Sequence, residues 1–235
     1  MLTTVQTILD NAIDLADMRN SAFIDVSGTA GTEGIRYANL AWRDLYQKVI
    51  LSREFYFSTT ATITILAGTD SYSLPTDFYK LDGVDLQIDA TTDRYLTLSP
   101  AMFKERNKYR FGLPLTVAPF GMISKYILIG DKIKFIPKPT QSSVIQLWYT
   151  PSPATLTTLA DTISCPPGGD EYMTLFIASA MREKEESDTT RLDAKRQEVL
   201  QQLNISLKDR DSGSPHKVID SSSINTNALY PFSRF

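Results

Sequence analysis

The chain has 235 residues, of which 42% are hydrophobic and 22% charged, as in an ordinary globular protein. Its formal net charge of −3 argues against a protein that wraps nucleic acid, because such a protein needs a clearly basic surface. The single cysteine, Cys165, excludes an internal disulfide and a cysteine-based zinc site. No segment has the pattern of a signal peptide or of a membrane helix, so we expect a protein made in a reducing cytoplasm with no membrane partner.

The first 54 residues predict a pair of helices that form an antiparallel hairpin. Apolar residues recur at helical spacing over 4–18, and Thr3 or Thr4 can cap the first free backbone N–H groups. A second helix is expected over 33–53, with an apolar stripe of Ile35, Ala38, Trp42, Leu45 and Val49. We expect these two helices to form half of a helical bundle.

Residues 55–150 predict an antiparallel β unit of five or six strands, arranged as a sandwich or as a barrel. Apolar and polar residues alternate with a period of two over 57–65, which is typical of a half-buried strand. A later alternation changes phase at Asp82-Gly83, which predicts a β-bulge. Gly130-Asp131 predicts a tight turn between two further strands.

Two segments inside the β unit have distinct patterns. The run 144–149 is apolar on both faces, so we expect it to form a central strand with apolar surface that packing between subunits could bury. A short helix is expected over 99–110, with Ser99 as its cap and Pro100 at the first helical position.

Residues 151–210 predict a linker and a second helix pair that completes the bundle. The first of these helices begins near Asp170 and is apolar almost all round in its first half. Such a helix is buried either by its own chain or by neighbouring subunits. Our candidates for a subunit interface on it are Tyr172, Phe176, Ile177 and Met181. The last helix is expected over 190–209.

The segment 211–235 is rich in small and polar residues and has no period, yet its end is apolar. A free tail has no physical reason to carry exposed aromatic rings at its end, so we expect it to dock on a partner. The candidate docking residues are Leu229, Tyr230, Pro231, Phe232 and Phe235. In chain order, the elements predict an α+β fold with the β unit inserted in a helical bundle and followed by an extended C-terminal tail.

The segment 168–172, Gly-Gly-Asp-Glu-Tyr, differs by one residue from the Gly-Gly-Asp-Glu-Phe signature of diguanylate cyclases. That signature requires a hairpin between two strands, whereas here two prolines precede it and a helical pattern follows. We therefore favour a glycine turn with acidic residues at a helix start, and keep a nucleotide-signalling protein as an alternative.

The other candidates for chemistry are weaker, and we assign no catalytic, cofactor-binding or metal-binding residue. The carboxylates of 183–188 alternate with basic residues, which is typical of a solvated helix end. His216 is the single histidine and lies in the expected tail, away from any rigid nucleophile.

The segment 103–111 combines basic and aromatic residues, with Lys104, Arg106, Lys108 and Arg110 as its cations. This composition is typical of a contact with a polyanion or with an acidic protein surface, which keeps a DNA-binding module as a further alternative. The structural interpretation, which we favour, is an amphipathic helix whose long cationic side chains lie along the edge of the β unit. A protein interface comes second and DNA third.

Five motifs follow one another along the chain. They are Asp-Leu-Ala-Asp-Met-Arg-Asn at 14–20, Ala-Asn-Leu-Ala-Trp-Arg-Asp-Leu-Tyr at 38–46, Ala-Gly-Thr-Asp-Ser-Tyr-Ser-Leu-Pro-Thr-Asp-Phe-Tyr-Lys at 67–80, Leu-Trp-Tyr-Thr-Pro at 147–151 and Lys-Glu-Glu-Ser-Asp at 184–188. In this order the chain resembles the phage head-to-tail adaptor (connector, head-completion) proteins over nearly all of residues 3–210. The third motif is the most specific, and it is a structural signature rather than an active site.

The resemblance implies a structural virion protein made in the host cytoplasm and located in the neck of a phage, between head and tail. Identical subunits would form a ring, commonly twelve-fold, beneath the portal protein. The ring would bind after packaging and would extend the channel through which genomic DNA passes, without sequence-specific binding. A tail, nozzle or tail-tube protein would attach to its other face, and the resemblance implies no catalytic residues and no cofactor.

Overall fold

The computed structural model describes residues 2–19, 32–53, 55–89, 91, 94–106 and 125–208 of the chain. Four helices and ten strands lie in these ranges, which makes the fold α+β. The helices are α1 (Val5–Ala16), α2 (Thr32–Ser52), α3 (Gly169–Lys184) and α4 (Thr190–Lys208). The strands are β1 (Leu2–Thr4), β2 (Thr59–Ile65), β3 (Ser71–Ser73), β4 (Phe78–Asp89), β5 (Arg94–Thr97), β6 (Ser99–Pro100), β7 (Lys125–Ile129), β8 (Lys132–Ile136), β9 (Ser143–Pro151) and β10 (Thr162–Ser164).

The four helices, here called the helical unit, share one hydrophobic core. Helix α3 packs against α1, α2 and α4, and the apolar stripes that the sequence predicts for α1 and α2 lie in that core. The four predicted helices are confirmed, and each begins within one residue of the expected position; α3 ends at Lys184, before the expected end near Asp188. The predicted cap of α1 is also confirmed, since the side-chain oxygen of Thr4 accepts a hydrogen bond from the backbone N–H of Thr7 at 3.3 Å.

A short strand pair that the sequence does not predict holds the start of α1. Strand β1 pairs antiparallel with β10, which lies in the segment expected to be a plain linker. Beyond this pair, the N–H of Val5 donates to the carbonyl of Asp161 and that of Gln6 to the carbonyl of Leu159, both at 3.0 Å. These bonds satisfy backbone donors that a helix N-terminus otherwise leaves free.

Strands β2 to β9, here called the β unit, form two open four-stranded sheets of order β2-β9-β4-β5 and β3-β8-β7-β6. Apolar residues of both sheets lie in one cluster, which includes Leu147 of the first sheet and Phe135 of the second. The expectation of a barrel is therefore wrong, since the sheets stack on a shared core and do not close. The pairing is antiparallel apart from the short β6–β7 pair.

Two local features of the β unit are confirmed. The pairing of β4 with β9 shifts between Leu81 and Gly83, where a β-bulge is predicted, and Gly130 has a φ of 60° in the turn between β7 and β8. Strand β9 is central, as expected. Trp148 lies on its outer face and is 42% exposed, so only the inner face of β9 belongs to the core.

The predicted helix over 99–110 is wrong in its described part. Ser99 and Pro100 form the edge strand β6, and a single 3-10 turn follows at Phe103–Glu105. Proline has no backbone N–H to donate, and it is tolerated on an edge strand as well as at a helix start. Pro100 therefore fits a helix start and an edge strand equally well. The rest of the predicted helix, residues 107–110, lies outside the described residues.

Tyr46 joins the helical unit to the β unit. Its ring stacks on Phe57 at 4.2 Å between centroids, and its hydroxyl donates to the carbonyl of Pro151 at 2.5 Å. Burial, together with the nearby Tyr79 and two aspartates, raises the pKa of Tyr46 to about 12. The phenol therefore stays protonated and keeps its hydrogen bond to Pro151. Phe57 and Pro151 lie in the two segments through which the chain passes between the helical unit and the β unit.

Candidate interaction surfaces

The interface candidates on α3 are largely buried within one subunit. Tyr172 is 1% exposed, and Ile177 and Met181 are both 0% exposed. Phe176 is partly buried, with the guanidinium of Arg196 at 5.3 Å from the centre of its ring. The apolar pattern around α3 is thus explained by the three helices packed on it, and of the four candidates only Phe176 retains substantial surface for a neighbour.

Tyr172 also takes part in a polar cluster that the sequence analysis missed. Its hydroxyl donates to Asp44 Oδ2 at 2.5 Å, and Lys48 Nζ lies 2.6 Å from the same oxygen and 2.5 Å from the tyrosine hydroxyl. The only sequence signal was the spacing of Asp44 and Lys48, one helical turn apart on α2.

The electrostatics of this cluster indicate a structural role. Burial and the hydrogen bond to Asp44 raise the pKa of Tyr172, so the phenol remains protonated. Burial alone would lower the pKa of Lys48, but its hydrogen bonds to Asp44 and Tyr172 outweigh that effect and the pKa is raised. A neutral phenol and a charged amine are poor bases, so the cluster fixes α2 against α3 rather than supplying a catalyst.

The glycine pair of the cyclase-like segment is explained by backbone geometry and packing. Gly168 has a φ of 85°, a left-handed conformation that favours glycine. A Cβ on Gly169 would lie 2.9 Å from Cβ of Cys165 and 3.1 Å from Leu45, so the helix start fits only without a side chain. Glu171 pairs with Lys195 at 3.1 Å. The segment therefore starts a helix, and the strand hairpin of the signature is absent from this described stretch.

The other chemistry-bearing residues have structural surroundings. Lys184 bonds to Glu33 at 2.5 Å, and Asp188 accepts hydrogen bonds from Thr190 that lower the pKa of its carboxyl. Burial raises the pKa of the Cys165 thiol, which makes it a poor nucleophile. Within the described ranges, no three His, Cys, Asp or Glu side chains are grouped closely enough to hold a metal ion. His216 lies outside these ranges.

The basic segment is only partly described. Lys104 and Arg106 are exposed, and the guanidinium of Arg106 lies 4.6 Å above the ring of Phe103 and donates to its carbonyl at 3.1 Å. Arg106 also lines a cavity of about 460 Å³ together with Asp70, Lys134 and Lys138, in which Lys134 pairs with Asp70 at 3.1 Å. Lys108 and Arg110 lie outside the described residues, as do the tail residues Leu229, Tyr230, Pro231, Phe232 and Phe235.

The outer face of the first sheet carries one tryptophan that is held by a polar side chain. Trp148 Nε1 donates to Asp85 Oδ2 at 2.7 Å, and the hydroxyl of Thr97 donates to Asp85 Oδ1 at 2.7 Å. Gly83 lies opposite Trp148, and a Cβ there would meet the tryptophan at 3.7 Å. Trp148 is thus held in place by its hydrogen bond to Asp85 and stays half exposed.

Most of the exposed large apolar side chains belong to the β unit and the segments next to its strands. They are Phe55, Leu66, Tyr79, Ile88, Tyr95, Leu96, Met102, Phe103, Leu128, Ile129 and Trp148. Large apolar side chains that are exposed together are typical of surfaces that contact other proteins. The exposed side chains of the β unit therefore offer surfaces for contacts with other proteins.

Comparison with known protein families supports the interpretation that these exposed surfaces contact other proteins. No described helix is long and apolar enough to cross a membrane. No curated protein matches the chain. The family model described as SU10 adaptor protein matches residues 2–219, which is nearly the whole chain. The chain therefore belongs to the SU10 adaptor family, a family of phage head-to-tail adaptor proteins.

Proposed function

We propose that this protein is a non-enzymatic subunit of the virion neck, and that twelve copies form a ring beneath the portal protein. The ring extends the channel for genomic DNA and presents a face to which a tail, nozzle or tail-tube protein attaches. The observation that carries the proposal is the match to the adaptor family over residues 2–219.

The distribution of apolar surface supports an assembly role. The helical unit buries its core within one subunit, whereas the β unit leaves aromatic and aliphatic side chains such as Tyr95, Leu128 and Trp148 exposed. A closed ring requires that one side of each subunit contacts a different side of the next. Exposed apolar side chains on several strands are suited to contacts with neighbours, portal and tail.

The first test is the mass of the assembly, measured by native mass spectrometry on the protein alone and on the protein mixed with its portal. We expect a complex in which about a dozen copies are bound to one portal ring. A protein that stays monomeric or dimeric and ignores the portal would contradict the proposal. GTP turnover and DNA binding would then be the next measurements.

We further propose that the C-terminal segment anchors the subunit on the portal or on a neighbour. Ordering a segment costs roughly 1 kcal/mol or more of backbone entropy per residue, so aromatic anchors at its end must provide the compensating contacts. Deleting 228–235 should block stable attachment and leave the subunit folded.

A substitution variant separates the anchors from the length of the segment. Serine at positions 229, 230, 232 and 235 should prevent attachment as the deletion does, whereas alanine at 221–223 should leave attachment unchanged. Co-sedimentation with portal rings measures attachment, and the far-UV circular dichroism spectrum checks the fold. Unchanged attachment of the serine variant would rule out the proposed anchors.

A second candidate function is contact with DNA through the basic cavity. Arg106, Lys134 and Lys138 line one cavity with Asp70 as the single acidic residue among its described lining. Phosphate contacts make affinity fall steeply with salt. Replacing Arg106 and Lys138 with alanine should reduce that salt dependence if the cavity holds DNA, and fluorescence anisotropy of a labelled duplex measures it. Equal, weak binding by both proteins would rule this function out.

A further inference from the structure

The outward face of α2 carries a stripe of exposed side chains that no described residue covers. It consists of Arg36, Leu40, Arg43, Gln47 and Leu51, and we call it the α2 face. Leu40 is 46% exposed and Leu51 is 86% exposed. Cavities of about 310 Å³ lie at both ends of the stripe, one beside Arg36, Leu40 and Arg43 and the other beside Leu51.

The α2 face is positively charged. Among the residues that the structure describes, no carboxylate forms an ion pair with Arg36 or Arg43. An unpaired arginine on either side of an exposed leucine is typical of an interface with an acidic, partly apolar partner.

The outward face of α1 has the opposite charge. Asp10, Asp14 and Asp17 are exposed on the side of α1 that points away from the core. Asp14 pairs with Arg19, and Asp10 accepts a hydrogen bond from the side-chain amide of Gln6 at 2.9 Å. Among the described residues, Asp10 and Asp17 form no ion pair, so both carboxylates keep their charge for a partner. Just before the helix, Leu2 is 72% exposed. We call this stripe, which also includes Gln6 and the partly buried Ile13, the α1 face.

The two faces have the same spacing when one is read in reverse. From Asp17 back to Gln6 the members of the α1 face are separated by four, three and four residues, and from Arg36 to Gln47 the members of the α2 face are separated by the same intervals. Leu2 lies outside this match because it belongs to strand β1. Seven residues separate Arg36 from Arg43, which is about 10.5 Å along α2, and seven residues also separate Asp10 from Asp17, the residue directly after the end of α1. An antiparallel contact can therefore form both ion pairs at once.

We propose that the α1 face of one copy packs antiparallel against the α2 face of the next copy, and that this contact closes the ring. The inference rests on the ring put forward under the proposed function and names its interface. Asp17 then lies opposite Arg36, and Asp10 lies opposite Arg43. The remaining pairs are Ile13 with Leu40 and Gln6 with Gln47, and the exposed Leu2 and Leu51 lie toward the same end of the contact.

The charges select this contact over its alternatives. Both helices pack their apolar stripes toward α3, so the opposite, outward face of each helix is left for a contact with another copy. Two α2 faces would repel each other, as would two α1 faces, which disfavours a symmetric dimer. A contact between two different faces, repeated around an axis, generates a closed ring.

Charge reversal tests the contact. The double variant Arg36→Glu with Arg43→Glu should lose the ring on the portal, because carboxylates then face carboxylates. Asp10→Lys with Asp17→Lys should lose it in the same way, and the variant with all four changes should restore it. Native mass spectrometry with portal measures the ring, and thermal unfolding checks the fold. Asp17 has a φ of 60°, so Asp10→Lys with Asp17→Asn is the variant to use if the lysine pair does not fold.

Mixing the two double variants gives a second readout. Each supplies the face that the other lacks, so an equimolar mixture should form a ring of alternating subunits, which closes only if the copy number is even. The matched control is Arg191→Glu with Lys132→Glu, two exposed cations away from both faces, and it should keep the ring.

The outcomes separate this interface from the proposed function. A ring that survives either double reversal, or a folded four-fold variant that forms no ring, would overturn the interface and leave the adaptor function standing. A wild-type protein that forms no ring with its portal would overturn both.

Discussion

The helical unit and the β unit differ in how completely each covers its own apolar side chains. In the helical unit, α3 is surrounded by three helices, and residues such as Leu45 and Leu175 are 0% exposed. In the β unit each sheet has one covered face, so side chains such as Trp148 on the outer face remain half exposed. The comparison indicates that the helices hold the stable core of the subunit, and that the sheets, together with the outward faces of α1 and α2, provide surface for partners.

The largest expected effect is on the core of the helical unit. Replacing Leu175 with alanine removes a fully buried side chain and leaves a cavity between α3 and its neighbours. We expect a loss of about 2–5 kcal/mol in the free energy of unfolding, measured by urea denaturation. The matched control is Ile205→Ala on α4, a side chain that is 61% exposed, which should change stability much less. Similar losses for both would contradict a core centred on α3.

Gly169→Ala tests the start of α3 by adding atoms rather than removing them. The new methyl group would lie within 3.4 Å of Cys165 and Leu45, both of which are packed in the core. We expect a loss of about 1–3 kcal/mol from overpacking, again by urea denaturation. Gln201→Ala, at an exposed helical position, should leave stability nearly unchanged. An unchanged Gly169→Ala protein would show that this contact is not tight.

A smaller effect is expected at Asp161, which orders the segment that holds the start of α1. Hydrogen bonds from the side chain of Thr158 and from the backbone N–H groups of Thr157 and Thr158 lower the pKa of this carboxyl to about 2. A lowered pKa in the folded state stabilises the protein at pH values above the unfolded pKa of about 3.9. That contribution is lost as the pH falls toward 2.

Asp161→Asn measures this contribution. The difference in melting temperature between wild type and variant should be constant above about pH 5 and should shrink as the pH falls below 4. The amide NMR signals of Thr157 and Thr158 should titrate with a midpoint near pH 2 in the wild type only. A midpoint near 4 would show that the hydrogen bonds do not persist in solution.

The smallest expected effect is on the exposed surface of the β unit. Ile88→Thr keeps a β-branched side chain on β4 at a position that is 53% exposed, so the unfolding free energy should change by no more than about 0.5 kcal/mol. The same change at Ile145 on β9, which is 0% exposed, should be clearly destabilising. If Ile88→Thr were as harmful as Ile145→Thr, the idea that the outer part of the sheet is reserved for partners would lose its support.

The features that could be predicted from the sequence are local ones. The helix bounds, the Thr4 cap, the bulge at Gly83 and the turn at Gly130 each follow from residues within a few positions of one another. The family resemblance was also available at this level, because ordered motifs carry it without any knowledge of packing.

The features that could not be predicted depend on residues that are distant in the chain. The apolar pattern of α3 is the same whether a neighbour or its own chain buries Tyr172, and only its contact with Asp44 resolves the question. The pairing of β1 with β10 joins residues about 160 positions apart through strands too short to show a period. Pro100 suits both an edge strand and a helix start, so the position of β7 decided its conformation.

The sequence by itself determined the order of the four helices and of the longer strands, several turns and the membership of the adaptor family, because side-chain periodicity and backbone preference act over a few residues. Only the tertiary structure decided which apolar side chains are already buried and which charged faces point outward. Burial depends on which elements pack against each other, and that packing is set by contacts between segments far apart in the chain. The opposed charges of the α1 and α2 faces are available for a contact between copies because packing on α3 buries the apolar stripes of both helices and leaves the charged faces outward.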